Sequence, residues 1–237
     1  MSVDVIAVRI RATEEELAAL AAYDDRELEA IIREVGFACD NCGRCCTHAF
    51  NDHVFLLDRD AAVVRKIDPS ALVPAPYYDF CDQHGRFYVG GYALRTQPDG
   101  TCIFLSTNRC TIYDLRLSIC RVYPYMLHRE PDEYGRVDWR QISGLNQHGE
   151  YNIPLSDQEC SRIADETREY ETLFVDQQLR FLGLVQEHFK TSGLRHIRKV
   201  YDQQMRAFKR GVAVPVQVYY DGTFEERMVT IGEYPAD

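Results

Sequence analysis

An α+β fold, a small irregular β core flanked by helices and followed by a C-terminal β-hairpin, is what three features of the sequence predict. Helix-start signals precede apolar residues at helical spacing in two separate regions. Short β-type runs separated by Gly and Asn turns fill residues 86–113. Between the first helices and those runs lies "CDNCGRCC", in which Cys39, Cys42, Cys45 and Cys46 crowd into eight residues. The 237 residues suffice for one large domain or two small ones. With no internal repeat, low-complexity tract or obvious linker, the chain reads as a single domain over 1–237. Within it lie a cysteine-cluster core at 37–130, a helical segment at 156–210 and a hairpin at 212–231.

Residues 3–10, "VDVIAVRI", have the apolar content of a short strand. "TEEELAALAAY" then offers a capping box, Thr13 with Glu16, and "DDRELEAIIREVG" repeats it with Asp24 and Glu27. Leu28, Ile31, Ile32 and Val35 share one face of the second helix, and Gly36 can end it in a left-handed conformation. That helix delivers the chain into the cysteines. His53–Leu57 reads as a strand, Asp58 as the cap of a short helix that Pro69 ends, and "SALVPAPYYDF" as a loop. "RFYVGGYALRT", "TCIFL" and "CTIY" carry the β signal. "DLRLSICRVYPYM" is a helical turn that Pro124 limits, and "HREPDEYGRVDWRQI" is a hairpin around Gly135. From Ser156 a third capping box, with Glu159, opens a long helix that Ser192-Gly193 breaks. One more helix ends at Gly211, and Asp221-Gly222 marks the turn of the final hairpin.

Hydrophobic residues at 46% and charged residues at 27% exclude wholesale disorder. The net charge of −10 disfavours nonspecific nucleic-acid binding, which needs clustered Lys and Arg. No apolar run reaches membrane-spanning length, and the first residues lack the basic-then-apolar order of a secretory signal, so a cytoplasmic location is expected. Nine cysteines, an odd number in a reducing compartment, point away from a disulfide framework and towards metal binding or redox chemistry.

The second cysteine group is Cys102, Cys110 and Cys120 in "GTCIFLSTNRCTIYDLRLSICRVYPY". A strand–turn–strand there returns Cys110 beside Cys102, with Cys120 following from the next turn. A C-x-x-C turn lets two thiolates reach one tetrahedral ion, or supplies two corners of an iron–sulfur cube. Adjacent Cys45 and Cys46 diverge, so the two can serve different sites or bridge. Seven sulfurs exceed one four-thiolate site and fall one short of two. Cys39, Cys42, Cys45, Cys46, Cys102, Cys110 and Cys120 are therefore the candidate metal ligands. His48 and His53 are open alternatives, as are Cys81 and Cys160, although a lone cysteine is more often a small buried apolar residue. Arg44, Arg109, Arg116 and Arg121 lie near these cysteines in sequence. They can offset thiolate charge or simply pair with surface acids. A P-loop, an H-E-x-x-H helix and a G-x-S-x-G elbow are all absent from the sequence.

"CDNCGRCC" together with the second group resembles the YkgJ-like CxxCxxCC cysteine-cluster family, which is associated with zinc or iron chelation. The likeness runs over residues 37–130. It takes in Cys39 to Cys46, Asp58 at the head of "DRDAAVVRKI", Gly100-Thr101-Cys102, Cys110 through Arg116, and Cys120-Arg121-Val122-Tyr123-Pro124-Tyr125. Leu117 stands where the family usually has Pro, and "ISGLNQHGEYNI" lacks the later Cys-Pro-Gly of many members. A similar cluster in flagellin lysine methylase implies iron–sulfur binding. The resemblance implies a metal-binding protein holding an iron–sulfur cluster, four-iron favoured, or zinc, in a structural, electron-transfer or metal-handling role. An iron-dependent modifying or oxidative enzyme and a zinc-stapled protein-interaction module are the alternatives. The first names no substrate and the second no partner.

Overall fold

The computed structural model describes residues 5–50, 53–131, 137–141 and 146–234. Helix α1 runs from Val5 to Ala22, so the part of the expected strand that is described, from Val5 on, is helical instead. The β preference of its Val and Ile residues yields to packing, because Ile6 is buried against Phe181, Leu182 and Val185 of a later helix. Thr13 is not a cap either. It sits mid-helix, and its hydroxyl donates to the Arg9 carbonyl at 2.9 Å. Helix α2, Asp25–Val35, is capped at the two predicted positions, although not through the reciprocal box of Asp24 with Glu27. The Asp24 side chain accepts from the Arg26 N–H, and Gly36 ends the helix at φ +48° with its N–H on the Ile32 carbonyl.

Residues 53–57 are extended but bridge at a single residue, Phe55 with Ala93, rather than forming a strand. Helix α3 covers Asp58–Ile67. Its N-cap position belongs to Leu57, which has no capping side chain. Asp58 is the first helical residue, and its N–H donates to Gln177 Oε1 at 2.9 Å. The expected loop after α3 is partly regular. A 3-10 turn at Pro69–Ala71 leads into β1, Leu72–Pro74, and β2, Phe80–Cys81, takes its far end. Pro74 is accommodated because it closes a strand of a two-stranded sheet.

Strands β3, Phe87–Val89, and β4, Tyr92–Leu94, follow, then the short pair β5, Leu105–Ser106, and β6, Arg109–Cys110. Helix α4 is Ser118–Val122. Strands β7, Tyr125–Pro131, and β8, Val137–Gln141, form the expected antiparallel pair, whose turn around Gly135 lies outside the described residues. Helix α5, Asp157–Thr191, is 35 residues long and opens on a complete Ser156–Glu159 capping box. Helix α6, Arg198–Lys209, leads to β9, Val214–Tyr220, and β10, Thr223–Val229, joined through Asp221 and Gly222, both at positive φ.

The main sheet has the order β10-β9-β3-β2, with β3 and β9 parallel. Val214, Val216 and Val218 alternate onto one face with Phe87 and Val89, against Leu56 and Val64. The other face carries Phe80, Tyr88 and Tyr219 against Phe181, Leu182, Val185 and Phe189 of α5. At the β2–β3 turn the fully buried Asp82 carboxylate accepts from the His84 and Arg86 N–H groups, Arg86 Nε and the Tyr88 hydroxyl. Burial works to raise its pKa, but these donors outweigh it and hold the carboxyl below its ordinary range.

Two predictions follow from this scaffold. A Cβ at Gly36 would lie 2.2 Å from the Ile153 carbonyl oxygen, besides the left-handed backbone. Gly36→Ala is expected to cost about 1–3 kcal/mol in urea unfolding. Asp82→Ala is expected to cost at least about 2 kcal/mol at neutral pH, by leaving the buried Tyr88 hydroxyl without an acceptor. Because the folded pKa of Asp82 is depressed, its contribution is present above the unfolded pKa of about 3.9 and lost as pH falls through the folded value. The gap between wild type and variant should therefore narrow below about pH 4.

Candidate metal centre

The cysteine loop starts from a clamp. Residues 35–38 exchange backbone hydrogen bonds with 150–153: Ala38 N–H to Glu150 O at 2.8 Å, the return bond at 2.9 Å, and Ile153 N–H to Gly36 O at 3.0 Å. The Phe37 N–H donates to the Tyr125 hydroxyl at 3.2 Å. From this fixed point the chain turns twice. Asp40 Oδ1 accepts the Cys42 N–H at 3.0 Å, and Gly43, at φ +76°, opens a 3-10 turn over Arg44–Cys46. Left-handed backbone at Gly43 is what turns Cys45 and Cys46 back towards the chain's interior.

The second segment is tied to the first through the main chain. The Cys102 N–H donates to the Cys46 carbonyl at 2.7 Å, the His48 N–H to the Gly100 carbonyl at 2.8 Å, and Thr47 bridges Thr101. The Gln97 amide holds the Cys102 turn by donating to the Cys102 and Leu105 carbonyls, each at 2.9 Å. Leu105 pairs with Cys110 across β5–β6, which returns Cys110 towards Cys102 as the sequence predicts. Cys120 follows on α4.

Six of the seven candidate cysteines line one cavity of about 90 Å³: Cys39, Cys45, Cys46, Cys102, Cys110 and Cys120. Its remaining walls are largely apolar, including Val54, Phe104, Leu105, Ile112, Leu117 and Ile119. Cys42 is not part of this lining. Cys39 is exposed at the rim, whereas the other five are half-buried. His53 borders the cavity, and the His48 ring lies beside it, centroids 5.4 Å apart. Cys81 is in the core beside Phe87, and Cys160 is buried with Leu28 and Ile32, so both behave as small apolar residues away from this lining. Among the arginines, Arg116 lines the cavity with its guanidinium 4.0 Å from the Tyr113 ring centroid. Arg44 donates to the Gln147 carbonyl, Arg121 faces Glu166 at 4.0 Å, and Arg109 is exposed on β6.

The sulfurs feel one another. A hydrogen bond between the neighbours Cys45 and Cys46 raises the Cys45 thiol and lowers that of Cys46. Burial, reinforced by Cys46 and Cys110, pushes Cys102 up to about 12. Burial likewise raises Cys120, with Cys102, Cys46 and Cys110 adding to it. Among the described residues no three His, Cys, Asp or Glu side chains are arranged around a single ion.

Two contributing contacts, Tyr123 with His148 and Asp60 with Ser118, carry no sequence signal. Tyr123 lines the cavity and its hydroxyl meets His148 Nε2, while the buried His148 Nδ1 has no partner among the described residues. Asp60, 6% exposed, accepts the Ser118 N–H and hydroxyl at the start of α4. Neither belongs to a local pattern, because each acts on a residue at least 25 positions away.

The donor set fits zinc or iron. Thiolates are the ligands these metals share in all-sulfur sites, and a cavity of about 90 Å³ far exceeds the roughly 10–15 Å³ that a water needs. Comparison with known proteins agrees with this chemistry. Over 104 residues the chain is 28% identical to "Uncharacterized protein MJ0661" of Methanocaldococcus jannaschii, a match covering 42% of this chain and 50% of that protein. The chain thus spans about half the length of that curated relative. No solved structure matches. A family model described as "Putative zinc- or iron-chelating domain" matches residues 38–161, just over half of the chain and farther than the 37–130 likeness. With its loop and second cysteine group both inside that match, the chain belongs to the CxxCxxCC family.

Proposed function

We propose that the cavity holds an iron–sulfur cluster, four-iron favoured, with Cys39, Cys42, Cys45, Cys46, Cys102, Cys110 and Cys120 as the thiolate pool. The observation that carries this reading is that six of the seven cysteines line one cavity. Thiolates on one zinc, each about 2.3 Å from it, must lie within about 4 Å of each other. A cube takes its thiolates on separate corners, so it suits a spread set better. Such a cluster supplies one-electron chemistry and a strong cross-link. The apolar walls shield the inner sulfurs in part, and Arg116 offers positive charge against a net-negative centre. The Cys46–Cys102 backbone bond already aligns the two segments, so binding has little further chain to order.

The role favoured is electron transfer or metal handling combined with stapling of the 39–46 loop onto the 102–120 segment. The cysteines are free thiols, consistent with a reducing, cytoplasmic setting. No helix among the described residues is long and apolar enough to cross a membrane. Zinc in the same thiolates is the second reading, which the C-x-x-C turn allows.

Anaerobic purification followed by elemental analysis tests the proposal. Iron with matching acid-labile sulfide and visible sulfur-to-iron absorption is expected. Colourless protein with stoichiometric zinc would replace the iron reading, and protein without either metal would end both. Cys46→Ser is expected to lose most of its metal and to melt earlier, because a metal that binds the folded chain stabilises it in proportion to its affinity. Cys42→Ser should do the same through the loop's outer thiol, while Cys160→Ser should keep wild-type metal content.

A further inference from the structure

We propose that Asp60 is a positioning residue that sets Cys120 against the other thiols. The inference rests on the metal-site reading but uses a residue outside the cysteine pattern. Asp60 is the third residue of α3 and only 6% exposed. Its Oδ1 accepts two hydrogen bonds from Ser118, the backbone N–H at 3.0 Å and the hydroxyl at 2.9 Å. Ser118 is the first residue of α4, and Leu117 before it offers no side-chain cap. A remote carboxylate therefore does what a local N-cap normally does. Cys120 lies two residues further along that single short helix. With only five residues, α4 has little stability of its own and takes its orientation from what holds its ends.

The clamp is part of a relay from the longest helix. Gln177 of α5 accepts the Asp58 N–H at 2.9 Å, fixing where α3 begins. Arg59 donates to the Ser118 hydroxyl at 3.0 Å and pairs with Glu169 of α5. Asp60 passes this placement on to α4. A charged oxygen this deeply buried is costly to keep. Its second oxygen has no hydrogen-bond partner among the described residues, while its first takes both Ser118 bonds, with Arg59 and the Leu57 backbone also acting on the carboxylate.

The test reads each cysteine separately in metal-loaded protein, by iodoacetamide alkylation followed by peptide mass spectrometry. In wild type, Cys120 should be protected by metal and become reactive after chelation. In Asp60→Ala, Cys120 should alkylate at least about tenfold faster, the consequence of losing a charge-assisted bond, while Cys46 and Cys102 stay protected. Asp60→Asn keeps the Oδ1 acceptor and should restore protection. Ser118→Ala should give a smaller increase, and it decides the question if Asp60→Ala does not fold. Ser156→Ala, which uncaps α5, should lower the melting temperature without changing the alkylation pattern. Unchanged Cys120 protection in Asp60→Ala, or in Ser118→Ala where that variant decides, overturns the positioning role while leaving the metal reading intact. Cys120 equally reactive in wild type with and without metal removes Cys120 from the ligand set, and the inference with it.

Discussion

Half-buried sulfur atoms that share one cavity cannot all be charged without a compensating centre. Each thiolate must give up part of its hydration, and each repels its neighbours. Burial and the neighbouring sulfurs push the Cys102 and Cys120 thiols upward, and the bonded pair Cys45 and Cys46 shifts in opposite directions. On the proposed reading, a bound cation would replace protons on these thiols and turn repulsion into cohesion. Much of the architecture between residues 35 and 123 serves to create this conflict and then hold it in place. The clamp at 35–38, the Cys46–Cys102 backbone bond and the β5–β6 pairing bring the two cysteine segments together.

Around that centre the scaffold divides its labour. The main sheet and α5 provide apolar packing on both sheet faces, and polar side chains of α5 reach across to fix the short elements. Gln177 serves the starts of two segments at once. Its oxygen takes the Asp58 N–H and its nitrogen donates towards the Leu56 and Gly90 carbonyls. Small elements with little intrinsic stability, α3 and α4 among them, are thus placed by a helix long enough to be rigid.

What could be read from the sequence was local. Asp24, Gly36, the Ser156–Glu159 box and Asp221-Gly222 act within a few residues of themselves, and each is found doing so. The cysteine spacing was legible for the same reason, since sulfur ligation leaves a compact signature. Errors arose where distant packing decides. Val5–Ile10 is helical because α5 covers it, Thr13 is interior to that helix, and the start of α3 is capped by Gln177 rather than by Asp58. The segment after Ala71 is strand rather than loop because Leu72–Pro74 finds a partner in β4. Asp60 and His148 were invisible because their partners lie far along the chain.

The parallel pairing of β3 with β9 has a consequence for how this family region can be borrowed. The matched stretch closes at residue 161, yet Phe87, Tyr88 and Val89 lean on strand residues 216–218. Excision at the family boundary would strip three wholly buried positions of their neighbour and bare an unpaired, aromatic strand edge. Grafting the cysteine region into another protein would need the last hairpin to travel with it, or a substitute strand supplied by the host.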